Sequence, residues 1–185
     1  MNKYILGSFL AALAFFIWGF LYWAISPLPK KFIQTNPDEA AARTMLKQLF
    51  PTDGTYFIPN WSDDVEKMND AHMAGPVATV HIKNAGADPM PPSFFVMGIV
   101  HSWVSTLLLT FLLVRASPAV LSGYWRRVRF VTLVGVAIAV ISDFSFAIYW
   151  GNPWPIYLFN ASFVITAMFV VGLVLAKFVK PADAA

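Results

Sequence analysis

The 185 residues include no cysteine. Disulfides, thiolate metal sites and cysteine nucleophiles are therefore excluded, and any domain outside the cytoplasm must hold together without covalent staples. Charge is also scarce: Asp, Glu, Lys and Arg make up 12% of the chain, against about 25% in an ordinary soluble domain. Only three histidines occur. No Gly-x-Ser-x-Gly, no His-Glu-x-x-His and no glycine-rich phosphate loop is present, so the common nucleophilic, zinc-hydrolase and nucleotide signatures are missing. The thirteen Lys and Arg give a net charge of only +3 and are scattered, which does not make a phosphate-tracking surface for nucleic acid.

What fills the chain instead is 58% hydrophobic and 16% aromatic residues, with seven Trp and seventeen Phe. This composition points to lipid as the main solvent. Four stretches have the roughly 20 apolar residues needed to cross about 30 Å of hydrocarbon: Ile5 to Ile25, Ser93 to Val114, Val128 to Trp150 and Pro155 to Ala176. The first exceeds the 7–15 residues of a signal-peptide core and runs directly into Pro27, so it reads as a retained anchor.

Orientation is read from Lys and Arg in the short loops. Arg115, Arg126, Arg127 and Arg129 lie between the second and third spans, Lys177 and Lys180 follow the fourth, and Lys3 precedes the first. Both termini are then expected in the cytoplasm. Residues 27–92 are expected outside, and a cytoplasmic membrane of the bacterial kind is the expected location. Tyr4, Tyr124 and Trp125 are expected at the inner interface; Tyr22, Trp23, Tyr149, Trp150, Trp154 and Tyr157 are expected at the outer one. The halves differ in loop length and charge, which does not support a duplicated transporter.

The segment 27–92 is patterned. Asn36-Pro37-Asp38-Glu39 predicts a helix start, with Asn36 as N-cap and Glu39 closing a capping box, and the helix runs to about Leu49. Gly54 to Ile58 predicts a strand. Ser62 is expected to cap a second helix carrying Asp63, Asp64, Glu66 and Asp70, ended by Gly75-Pro76, and Pro76 to Ile82 predicts another strand. An αβαβ unit of this size is near the lower limit for independent stability. The expected fold class is thus a membrane all-α four-helix bundle, N-in and C-in, with spans at 1–26 and 93–185 and a small extracytoplasmic α+β insertion between the first two helices.

The polar groups at membrane depth are the informative ones, because a charge there is costly unless shielded. At about 1.5 Å per residue from the expected outer ends, His101 lies about 12 Å deep, Asp143 about 10 Å and Asn160 about 8 Å. Gly135, Ala139, Asp143, Ala147 and Gly151 recur every four residues, as do Gly98, Ser102, Thr106 and Thr110, and such rows of small residues allow close helix approach. An outer-leaflet cluster of His101, Asp143, Asn160, Ser105 and Trp18 is therefore expected. It is either interhelical polar glue or a binding or proton-accepting site. No ionisable residue continues the path through the inner half, which disfavours complete proton conduction.

Haem b would need a second ligand beyond His101, such as Met97 or Met90 or a partner's residue. A quinone or lipid pocket among the helices is a further alternative. Copper is a fourth, with Met68, His72, Met73, His81 and Met90 as soft ligands. The Asn-x-Ser triplets at Asn60 and Asn160 are not read as glycosylation sites. The leading expectation is a non-enzymatic accessory, assembly or sensing subunit with no cofactor, presenting its outer segment to a larger membrane complex or a second copy. The alternative is a ligand-binding or proton-coupled transport component using His101, Asp143 and Asn160.

Overall fold

The computed structural model describes residues 3–180, so the tail beyond Lys180 lies outside the described residues. Two compact units emerge among the described residues, one comprising 3–33 together with 91–180, and the other Gln34–Met90.

The first unit contains the four apolar helices. Helix α1 spans Lys3–Phe20 and continues as a π-helical turn over Leu21–Ile25; a short α2 follows at Pro29–Phe32. The others in this unit are α5 (Pro92–Val114), a short α6 (Pro118–Leu121), α7 (Tyr124–Tyr149) and α8 (Trp154–Phe178). At 23 to 26 residues, counting α1 with its π turn, the long helices extend about 35–39 Å. Each is long and apolar enough to cross a membrane, which makes the chain a multi-pass membrane protein by helix length and composition. The third span begins four residues before its expected start, at Tyr124, and so adds Arg126 and Arg127 to Arg129 in its first two turns.

In lipid there is no hydrophobic gain from pressing two greasy helices together, so small residues and tight packing decide which helices pair. Helix α7 packs along α8, and α1 packs on both α5 and α8. The glycines explain the closeness. A Cβ on Gly135 of α7 would sit 2.6 Å from the Met168 Cβ, and one on Gly172 of α8 would sit 3.1 Å from the Val128 carbonyl oxygen. Gly135, Ala139 and Ala147 of the four-residue row are buried, as its spacing predicts. The row Ser102, Thr106 and Thr110 is buried too, and Thr106 Oγ1 donates to the Ser8 carbonyl of α1 at 2.8 Å. The shared core gathers Ala11 of α1, Leu109 and Leu113 of α5, Val131 of α7 and Met168, Val171 and Leu175 of α8.

Arg127 belongs to this packing rather than to a solvated loop. It is 6% exposed, its Nε donates to the Ala176 carbonyl at 3.1 Å and its Nη1 donates to the Leu121 carbonyl. Both acceptors lie in the last turns of helices, where carbonyls lack intrahelical partners and the dipole favours a cation.

The second unit consists of α3 (Glu39–Leu49), β1 (Gly54–Ile58), α4 (Val65–Ala74) and β2 (Ala78–Ile82). The strands form an antiparallel pair with Gly54 opposite Ile82 and Ile58 opposite Ala78. The αβαβ order is as expected, but both caps are shifted. Asp38, not Asn36, caps α3 by accepting from the Ala41 N–H at 2.9 Å, while Asn36 accepts from the Asp38 N–H at 3.0 Å. Asp64, not Ser62, caps α4 through the Lys67 N–H, and Ser62 accepts from the Asp64 N–H. In both places two oxygen-bearing side chains compete two residues apart. The first makes a local turn and the second takes the helix.

Candidate functional site

Helix α8 carries polar groups toward two neighbours. Toward α7, the Asp143 carboxylate interacts with the side chains of Asn160 and Ser142, with Ser142 Oγ donating at 3.3 Å. Asp143 is partly buried on the same row as Ala139 and Ala147, so the carboxylate lies on the packed side of α7. The Asn160 Oδ1 atom is buried without a hydrogen-bond partner among the described residues.

Toward α1, Trp18 Nε1 donates to Thr166 Oγ1 at 3.1 Å. Tyr22 is brought inward in the π-helical turn; its hydroxyl lies 2.5 Å from Ser162 Oγ and 3.1 Å from the Phe159 carbonyl, to which it donates. Its ring stacks on Phe159 at 4.9 Å and meets Phe163 at 5.2 Å. Tyr22, expected in an outer aromatic belt, is buried instead. The Trp18–Tyr22 spacing puts both polar-tipped rings on one face of a regular helix, but the π-helical turn from Leu21 changes that register.

The five-residue cluster expected from sequence therefore does not form as one constellation. Asp143 and Asn160 come together. Trp18 joins α8 through Thr166 rather than the carboxylate. His101 is exposed on α5, a helix whose main partner is α1. Its imidazole makes no hydrogen bond among the described residues, and its backbone carbonyl accepts from Ser105 Oγ at 2.9 Å. Spacing along the chain did not reveal facing: His101 precedes the buried Ser102 by 100° of helical rotation, enough to turn it off the α1-facing row.

Of the soft ligands considered for copper, His72 Nδ1 lies 2.9 Å from the Met68 carbonyl of its own helix and His81 Nδ1 lies 2.9 Å from Thr55 Oγ1 across the hairpin. Among the described residues no three His, Asp or Glu side chains gather as a metal site.

The second unit offers a different feature. Phe50 is the one buried residue of 34–90. It meets Tyr56 at 4.6 Å, and Asn84 Nδ2 donates to its carbonyl at 2.9 Å. Neither α3 nor α4 packs extensively on the hairpin. Met45 and Leu49 of α3 are 60% and 69% exposed, with Leu46 also exposed. With Ala42 they occupy positions i, i+3, i+4 and i+7, which is one face of a helix. Arg43, Lys47 and Lys83 line a cleft of about 260 Å³ beside that face, together with Leu46 and Ile82. None of these cations has an ion pair or side-chain hydrogen bond among the described residues.

Comparison with known family models, with curated proteins and with solved structures finds no match to this chain.

Proposed function

We propose that the chain is a non-enzymatic membrane subunit that binds a partner protein through α3. The observation that carries this reading is the uncovered face of Met45, Leu46 and Leu49, with half-buried Ala42 in line with them, on a helix without extensive contact to its own hairpin. Spacing of i, i+3, i+4 and i+7 is the anchor pattern by which an amphipathic helix lies in an apolar groove. Burying each of the three large side chains is worth about 1.5–3 kcal/mol, a gain the unit forgoes alone. The neighbouring Arg43, Lys47 and Lys83 suit a groove with carboxylates on its rim. The unit as a whole has eight Asp or Glu against four Lys or Arg, which argues for a protein groove over an anionic bilayer surface.

In this reading the cationic helix ends face the cytoplasm and residues 34–90 lie on the opposite side, which supports an accessory or assembly role for an extracytoplasmic domain. The proton-coupled alternative has less support, because Asp143 meets an amide and a hydroxyl while His101 is exposed on α5 with no side-chain bond to that carboxylate.

Native electrophoresis in a mild detergent tests the reading. The wild type is expected to migrate as a discrete hetero-complex, and the Met45→Asp/Leu49→Asp double variant as the free chain at equal expression and melting temperature. A wild type that migrates alone, or a double variant that stays in the complex, contradicts it. Attachment of an impermeant maleimide to a Lys83→Cys variant in intact cells tests the orientation, which fails if only lysed cells are labelled; the natural chain has no cysteine to confuse the result.

A further inference from the structure

A groove of about 610 Å³ runs between α1 and α5, lined by Tyr4, Ile5, Val104, Leu108, Phe111 and Arg115 among others. Its wall is almost entirely apolar, and Val104, Leu108 and Phe111 are 51%, 62% and 54% exposed. From Val104 to Arg115 the groove follows eleven residues of α5, about 16 Å. That is half of the ~30 Å hydrocarbon thickness, the depth of one leaflet.

One end is chemically distinct. The Arg115 guanidinium stacks over the Phe111 ring at 3.6 Å from its centroid, and the Lys3 ammonium lies 5.3 Å from the Tyr4 ring centroid. Arg126 and Arg127 spend donors on carbonyls and on Ser122, whereas the Arg115 side chain has no hydrogen bond or ion pair among the described residues. Stacking occupies a face of the guanidinium and leaves its edge N–H groups free, in the fork geometry that matches a phosphate.

We propose that this groove is a binding site for an anionic glycerophospholipid, with an acyl chain along Val104, Leu108 and Phe111 and the phosphate on Arg115. The inference goes beyond the partner-binding reading and uses a different unit of the chain. A partner's transmembrane helix is the poorer occupant. A helix laid along the same 16 Å brings no phosphate to the free guanidinium edge of Arg115, whereas an anionic headgroup does. The end carrying Arg115 and Lys3 is also the end where α7 begins with Arg126, Arg127 and Arg129, a cationic level that attracts anionic headgroups.

Native mass spectrometry of the full chain in detergent, titrated with dioleoyl phosphatidylglycerol or dioleoyl phosphatidylcholine, tests the site. The wild type is expected to retain the glycerol lipid about fivefold more tightly than the choline lipid, the preference of about one basic contact. Arg115→Ala should abolish that preference, and Leu108→Trp, which fills the groove from its exposed side, should remove the tight adduct independently. Equal retention of the two lipids by the wild type overturns the proposal. So does a glycerol-lipid adduct that survives Leu108→Trp, or a dimer mass that collapses in Leu108→Trp with no lipid preference, which would make a second copy the occupant.

Discussion

Asp143 illustrates what a charged residue in an apolar helix requires. Its position every fourth residue from Gly135 and Ala139 places it on the face that meets α8, and the structure supplies Asn160 and Ser142 as its partners. If the pair is interhelical glue, the identity of the acid is dispensable but its acceptor oxygen is not. Asp143→Asn keeps an acceptor beside Ser142 and Asn160 and is expected to change unfolding by less than about 0.5 kcal/mol. Asp143→Leu removes the acceptor of Ser142 Oγ and the polar neighbour of Asn160, and is expected to cost about 1–3 kcal/mol. Thermal unfolding in detergent checks both, and a large loss from Asp143→Asn would show that the carboxylate itself is needed. His101→Ala, on an exposed face, is expected to leave unfolding unchanged.

Among the helices, α7 and α8 depend on the absence of side-chain carbons. Gly135→Leu has no room, since its Cβ alone would stand 2.6 Å from the Met168 Cβ, an atom that cannot swing aside without moving α8. Overpacking of this kind costs about 1–3 kcal/mol, or roughly 2–4 °C of melting temperature per kcal/mol for a chain of this size. Leu133→Ala, two residues away at an exposed position, is the matched control and should lie within about 0.5 kcal/mol of wild type. Equal effects of the two would mean that α7 and α8 do not pack through Gly135.

Much of this element level was legible in the sequence. Apolar run length gave the four long helices to within a few residues, because ~30 Å of hydrocarbon imposes a minimum length. Rows of small residues gave the packed faces of α5 and α7. The strand Gly54–Ile58 was read with its observed ends. Three things were not legible for physical reasons. The cap choice at Asn36/Asp38 and Ser62/Asp64 is a competition between near-equivalent oxygens. The inward turn of Tyr22 follows from a π-helical turn, which inserts a residue into the helical register. The separation of His101 from Asp143 depends on which helices are neighbours, and depth along a helix carries no information about that.

At the scale of the whole molecule, the chain joins a well-packed set of long helices to a unit with one buried residue, Phe50. The helices use glycine contacts, buried hydroxyls and Arg127 to satisfy themselves. The second unit leaves Met45, Leu46 and Leu49 facing out. A domain this small without disulfides gains most when another surface covers its apolar face. Site-specific photo-crosslinking in native membranes, with the photoreactive residue at Leu49 on that face or at Gln48 beside it, tests this most directly. The account predicts a discrete protein adduct from position 49 and little or none from position 48. Equal adducts from the two positions, or capture of lipid alone at position 49, would contradict it.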